Sequence, residues 1–112
     1  MANIKWRGGE ITGHLDIFIS AKEDEFEGEI KKWQEVLIHG DPEGLRSFAK
    51  LLMKIADVDQ ENKAELPVGA REHYHLRPNL ELSKSSAETI VGRLDAKGTG
   101  QFYDRFVLKG TV

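Results

Sequence analysis

Cysteine is absent from the 112 residues, and with it go a disulfide framework, a thiolate metal site and a cysteine nucleophile. A long apolar run is missing too. The opening Met1-Ala2-Asn3-Ile4-Lys5-Trp6-Arg7-Gly8-Gly9 holds no apolar stretch of signal-peptide length, and no segment approaches the roughly 20 apolar residues of a membrane span. These absences predict a soluble, unexported, cytoplasmic protein with no membrane partner. Basic clusters are also lacking. The sixteen lysines and arginines are scattered and the formal net charge is −3, so no phosphate-tracking stripe exists and direct nucleic-acid binding is disfavoured. There is no internal repeat, low-complexity tract or linker, so residues 1–112 read as a single domain. With 39% apolar and 31% charged residues, such a chain can bury one core without metals or disulfides.

What is present points to an α+β fold. Ile4 and Trp6, then Gly8-Gly9, then the alternation Ile11, Gly13, Leu15, Ile17, Ile19 predict a short strand, a tight turn and a long strand. Thr12, His14, Asp16, Phe18 and Ser20 fall on the opposite, solvent-facing side of the long strand. Residues 22 to 29 are too charged for a buried element and read as an exposed connection. A third strand follows from Ile30 to His39, and the run Val36-Leu37-Ile38 marks it as central and well covered. Asp41-Pro42-Glu43 then supplies an N-cap acceptor, a first-turn proline and a first-turn acid. The helix that opens there carries Leu45, Phe48, Ala49, Leu52, Ile55 and Ala56 as its packing stripe and stops near Asp57 or Val58. Residues 58 to 70 read as loop. Alternation at 72–77, a turn at Pro78-Asn79, and Leu80 with Leu82 predict two short strands. Residues 88 to 94 are read as a strand, with a short helix as the alternative. Lys97-Gly98-Thr99-Gly100 is turn chemistry, and the aromatic tail 101–109 reads as a last strand, again with a short helix as the alternative. The expected architecture is an antiparallel sheet of about five or six strands with one principal amphipathic helix packed on one face.

Chemistry concentrates in two places. His73-Tyr74-His75 would project two imidazoles from one face of a strand, and a metal site would need a third ligand from His39, His14, Asp41 or Glu72. The simpler expectation is that Tyr74 and Leu76 face the core while His73 and His75 face water or cover a partner surface. A catalytic base needs a nucleophile in reach, and none is identifiable. Ser83, Ser85 and Ser86 lack a nucleophile-elbow pattern and read as turn residues. Lys97-Gly98-Thr99-Gly100 lacks the order of a phosphate loop. The second place is the acidic run Glu23, Asp24, Glu25, Glu27 and Glu29. Its plain meaning is solvation; two sharper ones are weak calcium binding, against which the lack of an EF-hand loop pattern speaks, and mimicry of a nucleic-acid backbone that steers the chain onto a basic partner.

The stretch Val36-Leu37-Ile38-His39-Gly40-Asp41-Pro42-Glu43-Gly44-Leu45, followed by His73-Tyr74-His75-Leu76, resembles small bacterial immunity proteins of polymorphic toxin systems over about half the chain. The resemblance implies a cytoplasmic protein that neutralises a cognate toxin by direct binding, without catalysis or cofactor. The leading expectation is therefore a non-enzymatic protein-binding domain, with Glu23, Asp24, Glu25, Glu27, Glu29, His73 and His75 as its partner-binding residues. The alternative is a small metal-binding protein or enzyme using His73 and His75. A homo-oligomer built by edge-strand pairing is a third reading, since a hairpin-rich sheet has free edges.

Overall fold

A computed structural model describes residues 10–110, and the strand and turn expected at Ile4, Trp6 and Gly8-Gly9 lie outside that range. Two long strands come first, β1 (Leu15–Phe26) and β2 (Glu29–Gly40), then helix α1 (Pro42–Asp57). A single 3-10 turn at Gln60–Asn62 leads to two short strands, β3 (His73–Leu76) and β4 (Thr89–Gly92). β1 pairs antiparallel with β2, and β3 with β4. The fold is α+β with antiparallel strands, as expected, but the strands form two sheets of two each and not one sheet of five or six.

The differences have identifiable causes. Residues 22–26 are strand, not connection: β1 continues to Phe26, Glu27 and Gly28 make the turn at φ 52° and 81°, and β2 starts at Glu29. Positive φ at both turn residues is the geometry whose twist matches a hairpin, and Gly28 supplies the second position without steric cost. Carboxylates are tolerated there because Glu23 faces Lys32 and Asp24 faces Lys31 across the ladder, with Glu23 and Lys32 paired at 3.7 Å. β1 starts at Leu15 and not at Ile11, because Gly13 sits at φ 71° and turns the chain. Leu80 and Leu82 belong to a turn with one isolated bridge, Pro78 to Leu82, and the tail 101–109 is irregular, with a turn at 104–105.

The core gathers Ile11, Leu15, Ile17, Phe48, Leu51, Ile55, Tyr74, Leu76 and Leu82. α1 therefore sits on the base of the long hairpin and not across a broad sheet. Its buried face is Gly44, Ser47, Phe48, Leu51 and Ile55; of the expected stripe, Leu45, Ala49, Leu52 and Ala56 are exposed. The helix is thus rotated by part of a turn, for a local reason. Asp41 Oδ1 accepts from Gly44 N at 2.7 Å and from His14 N at 3.0 Å, and Asp41 N donates to His14 O at 3.1 Å. This seats the first turn against residues 12–14, where Ser47 Oγ also accepts from Thr12 N. Gly44 lies so close to that segment that an added Cβ would stand 1.9 Å from His14 O.

Side chains tie the remaining loops to the helix and to one another. Arg93 holds Asp95 through Nε and Nη2, and its Nη1 donates to Ile55 O, Ala56 O and Val58 O, carbonyls that helix geometry leaves unpaired at a C-terminus. Buried Gln60 accepts from Glu72 N and donates to Asp95 O, and Lys97 Nζ donates to Lys63 O and Leu66 O. The outcome is elongated, 58 × 35 × 24 Å, with a radius of gyration of 17.4 Å against about 13 Å for a compact domain of this size. The excess length is the hairpin, of which the core covers only the base.

Candidate functional site

Two surfaces carry the residues singled out by sequence, and the fold keeps them on different elements. The first is the outer face of β3 and β4. Alternation along β3 buries Tyr74 and Leu76 and exposes His73 and His75, as expected of a strand with one wet face. The two imidazoles meet edge to face at 5.1 Å, and His73 Nδ1 lies 2.8 Å from Arg71 O. Gly92 and Ile90 stand opposite them on β4, and an added Cβ at Gly92 would meet His73 Cβ at 2.6 Å, so glycine there lets the two strands approach closely.

A groove of about 370 Å³ runs along this face, walled by Arg93 and Leu94 on one side and by Tyr103 and Arg105 of the tail on the other. The tail is held there by Arg71, which stacks 3.9 Å over the Tyr103 ring and donates to Leu94 O and Gln101 O. Sequence reasoning missed Tyr103 and Arg105 because it read the tail as a strand. No local signal links them to the histidines.

Of the four residues that could supply a third metal ligand, Asp41, Glu72 and His39 are engaged elsewhere. Asp41 caps α1, Glu72 is buried against Lys63 Nζ at 2.6 Å, and His39 packs on Phe18 on the hairpin. Among the described residues no group of three His, Asp or Glu side chains converges. The serines stay in a turn with a structural task. Asp16 accepts from Ser83 Oγ and from Ser85 Oγ, bonds that hold its carboxyl below the usual range, with His39 contributing in the same direction. Ser86 Oγ accepts from Ile17 N at 2.9 Å and donates to Ile17 O at 3.0 Å.

The second surface is the hairpin beyond Ile17. Register places Ile19, Val36 and Ile38 on one face and Phe18, Trp33 and Leu37 on the other. The Val36-Leu37-Ile38 run, expected in a covered central strand, lies in a two-stranded ribbon, where Val36 keeps 63% of its surface and Ile19 57%. Phe26 and Ile30 are exposed near the tip. Between Lys22 and Lys32 five carboxylates stand against three lysines, so the arm ends in an acidic tip above an apolar shaft. The carboxylates sit on strand and turn, and the histidines belong to a different sheet.

No helix among the described residues is long and apolar enough to cross a membrane. No curated protein and no solved structure matches the chain. A family match does exist, to Imm32, Immunity protein 32, over residues 35–94. The matched stretch runs from the lower half of β2 through α1 and β3 to the end of β4, taking in His73, His75 and the Asp41 junction and leaving out the acidic tip. Since it spans about half of the chain, the chain belongs to the immunity protein 32 family.

Proposed function

We propose that this chain is an immunity-type inhibitor that neutralises a cognate toxin by direct binding, without catalysis or cofactor, and that the β1–β2 hairpin is its contact arm. The observation that carries the reading is the arm itself. Above Ile17 the hairpin leaves Ile19, Val36 and Ile38 in water and adds nothing to the core described, and large exposed apolar surface marks an interaction site. Two-stranded ribbons are marginal alone, which makes a partner that covers this one an economical explanation of its persistence.

The tip carboxylates Glu23, Asp24, Glu25, Glu27 and Glu29 steer the arm onto a basic surface of the partner, raising the association rate more than the affinity. His73 and His75, on the matched half of the chain, form a second contact together with Arg105 of the tail. Coexpression with the products of genomically adjacent genes tests the proposal. The expected result is a stoichiometric complex that survives purification and whose association rate falls as salt rises through the Debye range. Failure of every adjacent product to copurify would remove it.

A further inference from the structure

We infer that the outer edge of β1 is a strand-docking site, filled by an extended basic segment of a partner protein that adds to the hairpin as a third strand. The inference rests on the arm being the contact element and specifies how it makes contact. Its basis is the hydrogen-bonding direction along β1. Leu15 and Ile17 turn their backbone groups away from β2: Leu15 O accepts from Ser83 N at 3.0 Å, and Ile17 O accepts from Ala87 N at 2.6 Å. The unbroken register from Leu15 to Phe26 carries the same outward orientation, two residues at a time, to Ile19, Ala21, Glu23 and Glu25. Glu25 N agrees, since it turns back to Asp24 Oδ1 at 2.9 Å. Residues 83–87, a turn, thus occupy this edge at the base through Ser83 N and Ala87 N, and the chain leaves it after Ala87 to form β4. Above that point the N–H and C=O groups of Ile19, Ala21 and Glu23 face outward with no backbone partner among the described residues.

Charge decides the occupant. Along the open edge, one face reads Ile19, Ala21, Glu23, Glu25, so a matching strand is apolar beside the first pair and basic beside the second. A second copy of β1 fails this test. Antiparallel pairing centred on Ala21 sets Glu23 against the other copy's Ile19, and pairing centred on Glu23 sets carboxylate against carboxylate. The outer edge of β2 carries Lys32 among Ile30, Gln34, Val36 and Ile38, and a lysine is the usual guard against strand addition. The site is therefore the acidic edge, and its ligand is a heterologous basic strand.

The probe is a ten-residue peptide in which threonine alternates with two valines and then three lysines, in both sequence directions, with a glutamate-for-lysine counterpart. Amide exchange is followed residue by residue in the full chain. The lysine peptide should slow exchange at Ile19, Ala21 and Glu23 by about tenfold or more, with weaker binding at high salt and none for the glutamate peptide. Ala21→Pro, which removes an outward N–H where an edge strand tolerates proline, should abolish the effect. So should the doubly substituted E23Q/E25Q chain, which removes the carboxylates without setting like charge against Lys32. Protection absent, or located at Ile38, Val36 and Gln34, would overturn the inference. If an adjacent gene product is captured equally well by the Ala21→Pro chain, the edge falls and the immunity reading stands. If the peptide docks on this edge and no adjacent product is captured, the reverse holds.

Discussion

Gly44 lies in the first turn of α1, a position where alanine ordinarily stabilises a helix by about 0.5–1 kcal/mol. Here the sign reverses. The new Cβ would fall 1.9 Å from His14 O, and both partners are backbone, so neither can yield. Gly44→Ala should cost about 2 kcal/mol or more in chemical denaturation, and a stabilised variant would show that the Asp41–His14–Gly44 junction is wrongly drawn. The same junction carries a pH signature. Backbone donation from His14 and Gly44 holds Asp41 below its ordinary 3.8, and the two serine hydroxyls do the same for Asp16. A depressed carboxylate stabilises the fold above its unfolded value and loses that contribution as pH falls through the folded one. Melting temperature should therefore drop as pH is lowered below about 3.8, and the drop should be shallower in Asp41→Asn and Asp16→Asn. Arg93→Met removes the bonds to Ile55 O, Ala56 O and Val58 O, and about 2–3 kcal/mol of stability with them, read by urea titration. The Arg93 contacts were not visible in the sequence, because Arg93 and its carbonyls are 35 to 38 residues apart.

At the scale of elements, α1 was legible and its orientation was not. Asp41-Pro42-Glu43 marks the start and Asp57 the end because capping is local chemistry. Which apolar stripe is buried depends on how Gly44 seats against His14, a contact made across the fold. Leu51, 1% exposed, and Leu52, 43% exposed, separate the two stripes. Leu51→Ala should cost about 2–5 kcal/mol and Leu52→Ala under about 1 kcal/mol. The opposite order in a thermal or urea melt would mean the helix is turned. The β1–β2 hairpin was half legible. Its first strand follows from alternation as far as Ile19 and its second from the run Val36-Leu37-Ile38, but the charged run from Lys22 to Glu29 reads as loop because cross-strand neutralisation by Lys31 and Lys32 needs the register to be known. β3 was legible in full, including the side each histidine takes, because period-two alternation beside a core leaves one arrangement.

Over the whole molecule, sequence patterns overestimate the sheet because apolar alternation does not by itself mean burial. Ile19, Val36 and Ile38 alternate correctly and still face water, since nothing in the described chain covers the hairpin above Ile17. The family resemblance, by contrast, was readable from a strand-to-helix junction and one histidine strand, both inside residues 35–94. The central claim is that the arm exists for a partner and not for the fold. It predicts that replacing residues 21–34 by Asn-Gly, which closes Ser20 onto Glu35 with a two-residue turn, leaves the core intact. The most direct measurement is the equilibrium affinity of the parent and shortened chains for a copurifying toxin, with both melting temperatures recorded. The account predicts nearly equal melting temperatures and a loss of about 100-fold or more in affinity for the shortened chain. A shortened chain that folds and binds as tightly as the parent would contradict it.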